Sequence, residues 1–383
     1  MNKKNPNKIT KSIAIVSGYS VDLPAIKNRL IPFIMEALRR EFKVVLISPT
    51  KNKINIDNKN LKEITLNREI DSKKGFYSRA FNEISSSYSM MKKVYSEKHD
   101  YVFIGIPSIF NLIFVKPIRN KQFIDVRDIV WEYLKGNIVE KLIKNLFQKI
   151  AKRKFRFFDT IITTNYSESK YFINKLNISE NNLYLLTNGI DQEKYNSISK
   201  LKYLKKNKDK INISYIGNIG VAQHLETFLL AARKLNHIQF NIVGSGRDLN
   251  NIKNKIKRYG LKNVIVHGRK NWDKVLEIYE YTDILYAQLT EEYFSAIPSK
   301  LYEYLASGKC IVYGGYGEAI NKLSNFDSVF LIKPQEVNML VSCINKIIEE
   351  KAHKKLSSFN REIIQESYIR EKEVRKFFDK YIK

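Results

Sequence analysis

Residues Tyr215–Leu230 (YIGNIGVAQHLETFLL) run from an apolar strand, through a turn with glycines at 217 and 220, into a helical pattern. Glycine admits backbone conformations and close approaches that a Cβ forbids. A helix that starts straight after such a turn offers N–H groups and partial positive charge to an anion. The same junction also serves as a tight packing turn, so alone it decides nothing about ligands. Read outward, the alternation continues. Downstream lie helices at Leu225–Leu235, Asp248–Tyr259, Trp272–Tyr281 and Ser299–Ala306, interleaved with strands at Phe240–Val243, Val264–His267, Ile284–Tyr286 and Cys310–Tyr313. Upstream, Ile211–Ile216 is the strand that feeds the turn. Before it, residues 192–210 (QEKYNSISKLKYLKKNKDK) hold few apolar side chains and a cluster of lysines, which reads as a linker.

Ahead of that linker a similar series appears. Strands are expected at Ser12–Ser17, Val44–Ser48, Tyr101–Ile106, Gln122–Val126 and Thr160–Thr164, with a helix at Ala25–Arg40. Continuous apolar runs imply strands covered on both faces, hence parallel sheets in an α/β fold. The chain therefore divides into a domain over residues 1–191, a linker over 192–210 and a second domain from 211. The two are expected to face each other across a cleft. Ligands of such sheets bind at the carboxyl ends of the strands, and two lobes suit a two-substrate enzyme.

Composition narrows the classes. A chain of 383 residues allows about two domains. With 44% apolar residues it can bury cores, and with two cysteines it is neither a disulfide scaffold nor a Cys-rich zinc protein. So few thiols fit a reducing cytoplasm. No targeting segment is expected, and no apolar run approaches the roughly 20 residues of a membrane span. The 67 Lys and Arg against 39 Asp and Glu leave a net charge of +28, which favours anionic partners or reflects drift in composition. Nucleic acid is not the expected partner, since neither a basic recognition helix nor an RNP-type aromatic motif is found. The five histidines lack metal-ligand spacing and there is no D-x-D motif, so no metal site is expected.

Two further junctions bear on chemistry. Val243–Asp248 (VGSGRD) begins like a G-x-G-x-x-G fingerprint, but Leu249 takes the third glycine's place and the motif lies inside the second series. A dinucleotide-dependent dehydrogenase is not expected. Ile297–Val312 (IPSKLYEYLASGKCIV) is more informative. Pro298 and Ser299 open a helix, and Lys300 projects from its first turn, where an anion drawn to the helix end would meet it. Glu303 follows on a similar face, where a carboxylate accepts the two hydroxyls of a ribose. Spacing alone equally allows a surface pair of Lys300 with Glu303.

The order of these segments resembles the retaining glycosyltransferases of family 4, with their two-Rossmann-domain GT-B architecture, over nearly the whole chain. The runs PSKLYEYLASGK (298–309) and YIGNIGVAQHLET (215–227) look like a bacterial subgroup that transfers N-acetylated amino or deoxy-amino sugars in O-antigen and capsule synthesis. Phe123–Asp128 (FIDVRD) followed by Trp131, and Thr187–Asp191 (TNGID), are similar to further family motifs. The resemblance implies an acceptor-binding first domain, a nucleotide-sugar-binding domain over 211–357, and a C-terminal helix, 358–383, that crosses back to the first domain.

It also implies roles. Glu303 corresponds to the second glutamate of the family's E-x7-E motif, which holds the ribose; the first falls at Ser295, so sugar binding differs here. The basic pair that usually meets the diphosphate falls at Asn218 and Gln223. Lys300 and Arg269 are the local replacements, assisted by backbone amides of Gly217–Gly220 and Ser299, while Gly244 and Gly246 let the backbone approach the nucleotide. Arg127 and Asp128 are candidates for the acceptor side, or a structural pair. The substrate implied is a UDP-sugar, with no cofactor or metal, and the acceptor is polyprenyl-diphosphate-linked or a saccharide.

One stretch points to a surface. Ile138–Phe158 carries seven Lys or Arg against one Glu, and Ile138, Leu142, Ile143, Leu146, Phe147 and Ile150 form one helical stripe. This reads as an element for an anionic membrane surface, or as a core-facing helix with a solvated basic side. The location expected is cytoplasmic, peripheral on the inner face of the cytoplasmic membrane. The competing function is a degenerate GT-B module that binds nucleotide or a partner without turnover.

Overall fold

The computed structural model describes residues 11–66, 76–106, 110–127, 129–134, 136, 138–201 and 210–382. The chain forms two compact units, one of residues 1–187 with 370–383, the other of residues 188–369.

In the first unit, β1 (Ser12–Ser17), α1 (Pro24–Arg39), β2 (Lys43–Ser48), β3 (Leu61–Thr65), α2 (Phe76–Ser96), β4 (Tyr101–Ile106) and α3 (Phe110–Phe114) lead to β5 (Lys121–Val126). Then come α4 (Ile138–Lys154), β6 (Thr160–Thr163), α5 (Tyr166–Leu176) and β7 (Leu183–Leu185). Among the described residues the seven strands form one parallel sheet in the order β3-β2-β1-β4-β5-β6-β7. The inner strands are buried on both faces, as their continuous apolar runs require. Sequence reading misses β3 and β7. Both are edge strands: Lys62 and Glu63 interrupt β3, and β7 is only three residues long.

The second unit contains α6 (Gln192–Ile198), β8 (Asn212–Ile216), α7 (Glu226–Lys234), β9 (Gln239–Val243), α8 (Leu249–Arg258), β10 (Val264–Gly268) and α9 (Trp272–Tyr281). It continues with β11 (Ile284–Gln288), α10 (Lys300–Ser307), β12 (Cys310–Gly314), α11 (Glu318–Leu323), β13 (Val329–Ile332), α12 (Val337–Glu349) and α13 (Ser358–Ser367). Its six described strands are parallel in the order β10-β9-β8-β11-β12-β13. Chain order reverses between β8 and β11, so the switch point of this doubly wound sheet lies between them.

Two boundaries differ from the sequence reading. The expected linker begins with α6, whose Tyr195 and Ile198, with Leu201 beyond, are buried in the second unit's core. Apolar residues three apart give a short helix one sticky side, and the lysine density hides it. Residues 202–209 lie outside the described residues. The terminal stretch is two helices: α13 packs within the second unit, and α14 (Arg370–Tyr381) belongs to the first, placing Val374, Phe377 and Phe378 in its core, with Ile382 just beyond. The chain changes units at Ile369, where Ile190 and Ile369 form a parallel bridge.

Candidate active site

At the switch point, β8 and β11 pair only as far as Ile213 with Ile284 and Ser214 with Leu285. Beyond that the ladder parts, and the buried Tyr304 of α10 fills the split. Its hydroxyl accepts the Ile216 N–H at 2.8 Å and reaches the carbonyls of Ile216 and Tyr286 at 3.1 and 3.2 Å. Backbone groups that the parted strands would leave orphaned are thereby satisfied. Leu301, Tyr302 and Leu305 bury the same side of α10, which leaves Lys300 and Glu303 on its flank.

The ends of β8, β9 and β10 are laced together. The Gly217 N–H donates to Val243 at 2.9 Å, Ile219 to Ser245 at 2.9 Å, and Gly244 to Gly268 at 2.9 Å. A Cβ on Gly244 would fall 1.8 Å from the Gly217 carbonyl oxygen, and one on Gly246 would fall 2.1 Å from that of Ile219. Both glycines sit at positive φ. They are thus required by the neighbouring turn, whatever ligand the site takes. The Gly220 N–H donates to the Gln223 side chain at 3.0 Å. Of the amides expected to cradle phosphate, those of Gly217, Ile219 and Gly220 are therefore already committed within the protein. The uncharged Gln223 closes the turn, and Asn218 is exposed, its carbonyl accepting the Tyr215 hydroxyl.

Lys300 stands against this turn. A Cβ on Gly217 would come within 2.8 Å of both its Cε and Nζ. The ammonium donates to the Tyr215 hydroxyl and lies 3.8 Å from the Tyr215 ring centroid. Burial pushes its pKa down to about 7, with Glu303 opposing the fall. Tyr215, fully buried, is itself shifted upward by burial.

Lys300 and Glu303 each have another partner in place of the surface pair that spacing allowed. Glu303 Oε1 accepts from Lys194 Nζ of α6 at 2.8 Å. Ser299 is exposed at the start of α10, and its hydroxyl makes no cap hydrogen bond. Arg269 is exposed just past β10, following Gly268 whose carbonyl takes the Gly244 N–H. Ser295 is half-buried in the loop before α10. That loop is pinned by the Glu318 N–H on the Phe294 carbonyl at 3.0 Å.

In the first unit the buried carboxylate at the end of β5 is Asp125. Arg29 of α1 grips it through Nε at 3.0 Å and Nη2 at 2.7 Å, and Arg127 Nε lies 3.7 Å away. Arg127 thus joins a cluster around Asp125. Asp128 lies outside the described residues. Trp131 is buried, its Nε1 donating to Tyr171 at 2.8 Å, and Tyr171 donates to Glu132 at 2.7 Å. Tyr215, Tyr304, Lys194 and Asp125 escaped the sequence reading. Tyr215, Tyr304 and Asp125 sit inside strand or helix patterns where a polar atom carries no local signature, and Lys194 lies in the stretch read as a linker.

Residues 198–365, which contain all of the second-unit site except Lys194, match the family model for glycosyl transferases group 1. The chain carries a group 1 glycosyltransferase domain. Across 279 residues, this glycosyltransferase is 22% identical to an uncharacterized glycosyltransferase of Methanocaldococcus jannaschii, covering 70% of each chain. Its fold is similar to that of sucrose-phosphate synthase from Thermosynechococcus elongatus, with a TM-score of 0.74 at 14% identity over 97% of this chain and 98% of that one. It is likewise similar to Anabaena HepE in complex with UDP and glucose, with a TM-score of 0.68 at 15% identity over 96% and 98% of the two chains. At these identities the likeness is one of fold, and the fold is GT-B. Among the described residues, no helix of the glycosyltransferase is long and apolar enough to cross a membrane.

Proposed function

We propose that this glycosyltransferase moves a sugar from a UDP-sugar to a polyprenyl-diphosphate-linked or saccharide acceptor, with retention at the anomeric carbon. The sugar of this reading is an N-acetylated amino or deoxy-amino sugar, and the process is synthesis of a cell-surface polysaccharide. The observation that carries the reading is the Lys300 ammonium, set against Gly217 beside the switch point of the second sheet. A nucleoside diphosphate leaves as an anion, so the enzyme has to stabilise charge that develops on phosphate. A fixed ammonium in a partly desolvated place does this without reorganising at the moment of reaction. By analogy with single oxyanion-hole donors, it is worth about 3 kcal/mol of barrier.

In this reading Glu303 takes the ribose hydroxyls, and Arg269 and the Ser299 amide assist at the diphosphate. Ser295 lies toward the transferred sugar. Arg127 and Asp128 serve the acceptor side, with Arg127 set by the Asp125 cluster. HepE, of similar fold, is described with UDP and glucose bound, which supports UDP as the nucleotide here. A lipid-linked acceptor places the enzyme peripherally on the anionic inner face of the cytoplasmic membrane, and the exposed side of α4 suits that surface.

The test is a thermal-shift series with UDP, GDP and their sugars. It is followed by turnover of UDP-N-acetylhexosamines with and without a polyprenyl-diphosphate-linked acceptor, the product anomer being read by NMR. Stabilisation by UDP and transfer with retention are expected. Stabilisation without any turnover would favour the binding module, and no response to any nucleotide would overturn the assignment.

A further inference from the structure

Lys194 is the partner that Glu303 already has, and it is held in an unusual way for a lysine. Its Nζ lies 2.8 Å from Glu303 Oε1, 3.9 Å from Asp191 Oδ2 and 4.9 Å from the Trp272 ring centroid. The indole is fixed in turn. Its Nε1 donates to Ser197 Oγ at 2.9 Å, and that hydroxyl donates to the Lys194 carbonyl at 2.9 Å. The loop of contacts closes on the residue where it began. The backbone is pinned as well: the Lys194 N–H donates to the Asp191 side chain at 2.9 Å, capping α6, and the Tyr195 hydroxyl donates to the Arg361 carbonyl at 3.1 Å. A solvated surface pair gains little because two long side chains must be immobilised. Here one of them is immobilised before the pair forms.

The pair leaves Glu303 half-used. Among the described residues, Oε2 receives no hydrogen bond, while Oε1 is taken by the ammonium. A carboxylate fixed at one oxygen presents the other as an ionised acceptor in a set direction. That is what a donor hydroxyl of a pentose needs, and charge-assisted hydrogen bonds of this kind are the strong ones. We infer that Lys194 is a positioning residue for the pentose of the nucleotide: by holding Glu303 through Oε1 it makes the site select a ribonucleotide over its 2′-deoxy counterpart. This inference rests on the reading that Glu303 takes the ribose.

The test measures UDP and 2′-deoxy-UDP affinities calorimetrically for the full chain and for its Lys194→Met, Lys194→Arg and Glu303→Ala variants. Lys194→Gln stands in if Lys194→Met melts well below the parent. The parent is expected to prefer UDP about tenfold or more, the scale of one hydrogen bond to a charged group. Lys194→Met should lose most of that preference through weaker UDP binding, with 2′-deoxy-UDP little changed, and Lys194→Arg should keep it. A purely structural ion pair would weaken both ligands alike and leave the ratio intact. If Glu303→Ala abolishes the preference while Lys194→Met and Lys194→Gln retain it, the role of Lys194 is overturned and the ribose reading survives. If Glu303→Ala also retains it, the ribose reading itself has failed, and the inference with it.

Discussion

A lysine ammonium is strongly hydrated, and Lys300 exchanges much of that water for the hydroxyl and face of Tyr215. The cost is a pKa of about 7, set by burial. A folded-state pKa below the usual lysine value means that the unfolded chain binds more protons between about 7 and 10.5. Stability therefore rises with pH across that window, and the penalty is full below it. A bound diphosphate reverses the balance, because its charge favours the protonated amine. The contribution of Lys300 to UDP affinity should then be full below pH 7 and fall as pH rises, by at most about tenfold per pH unit. UDP dissociation constants for the parent and Lys300→Met, measured from pH 6 to 9, report this as a ratio in which the nucleotide's own ionisation cancels. A ratio that does not change with pH would contradict it. Lys300 and Glu303 were legible in the sequence because a helix start and a three-residue spacing are local. Tyr215 and Lys194, their actual partners, were not, because those contacts join residues 85 and 109 positions apart.

Helix α4 takes something from each of the two orientations that its sequence allowed. Periodicity puts Ile138, Leu142, Ile143, Leu146, Phe147 and Ile150 on one stripe. In the fold that stripe divides. Phe147 packs toward the first unit's core, 6.1 Å from the Phe110 ring, while Ile143 and Ile150 are half-buried. Ile138, Val139, Leu142 and Leu146 remain 76, 61, 63 and 57% exposed, beside Lys141, Lys149 and Arg153. Large apolar side chains left in water next to basic ones fit an anionic interface. Leu142→Glu with Leu146→Glu should abolish sedimentation with anionic vesicles and leave the melting temperature nearly unchanged. Equal binding of the parent to neutral vesicles, or binding insensitive to salt, would count against a lipid surface.

Across the whole molecule, the two parallel sheets were legible because buried strands write themselves as apolar runs. Among the edge strands β10 was legible, whereas Lys62 and Glu63 interrupt β3, and β7 and β13 are runs of only three and four residues. The return of the chain to its first unit was expected, but its position was not. Only α14, and not α13, supplies that unit's core, with Phe377 against Phe33, Phe123 and Tyr184. Phe377→Ala should cost about 3–5 kcal/mol, and hydrogen exchange should show the loss in β1, β4 and β5 while β8, β9 and β11 stay protected. Uniform loss of protection in both units would show that they unfold as one.

The central claim is that a nucleotide diphosphate is met by Lys300 beside the glycine turn of the second unit. Calorimetric titration of UDP into the full chain and its Lys300→Met variant at pH 6 tests it most directly. Removing one hydrogen-bonding charge of this kind should weaken UDP by about 10- to 100-fold, or about 1.5–3 kcal/mol, in a variant that still melts cooperatively. Equal affinity of the two proteins for UDP would place the diphosphate elsewhere and contradict the account.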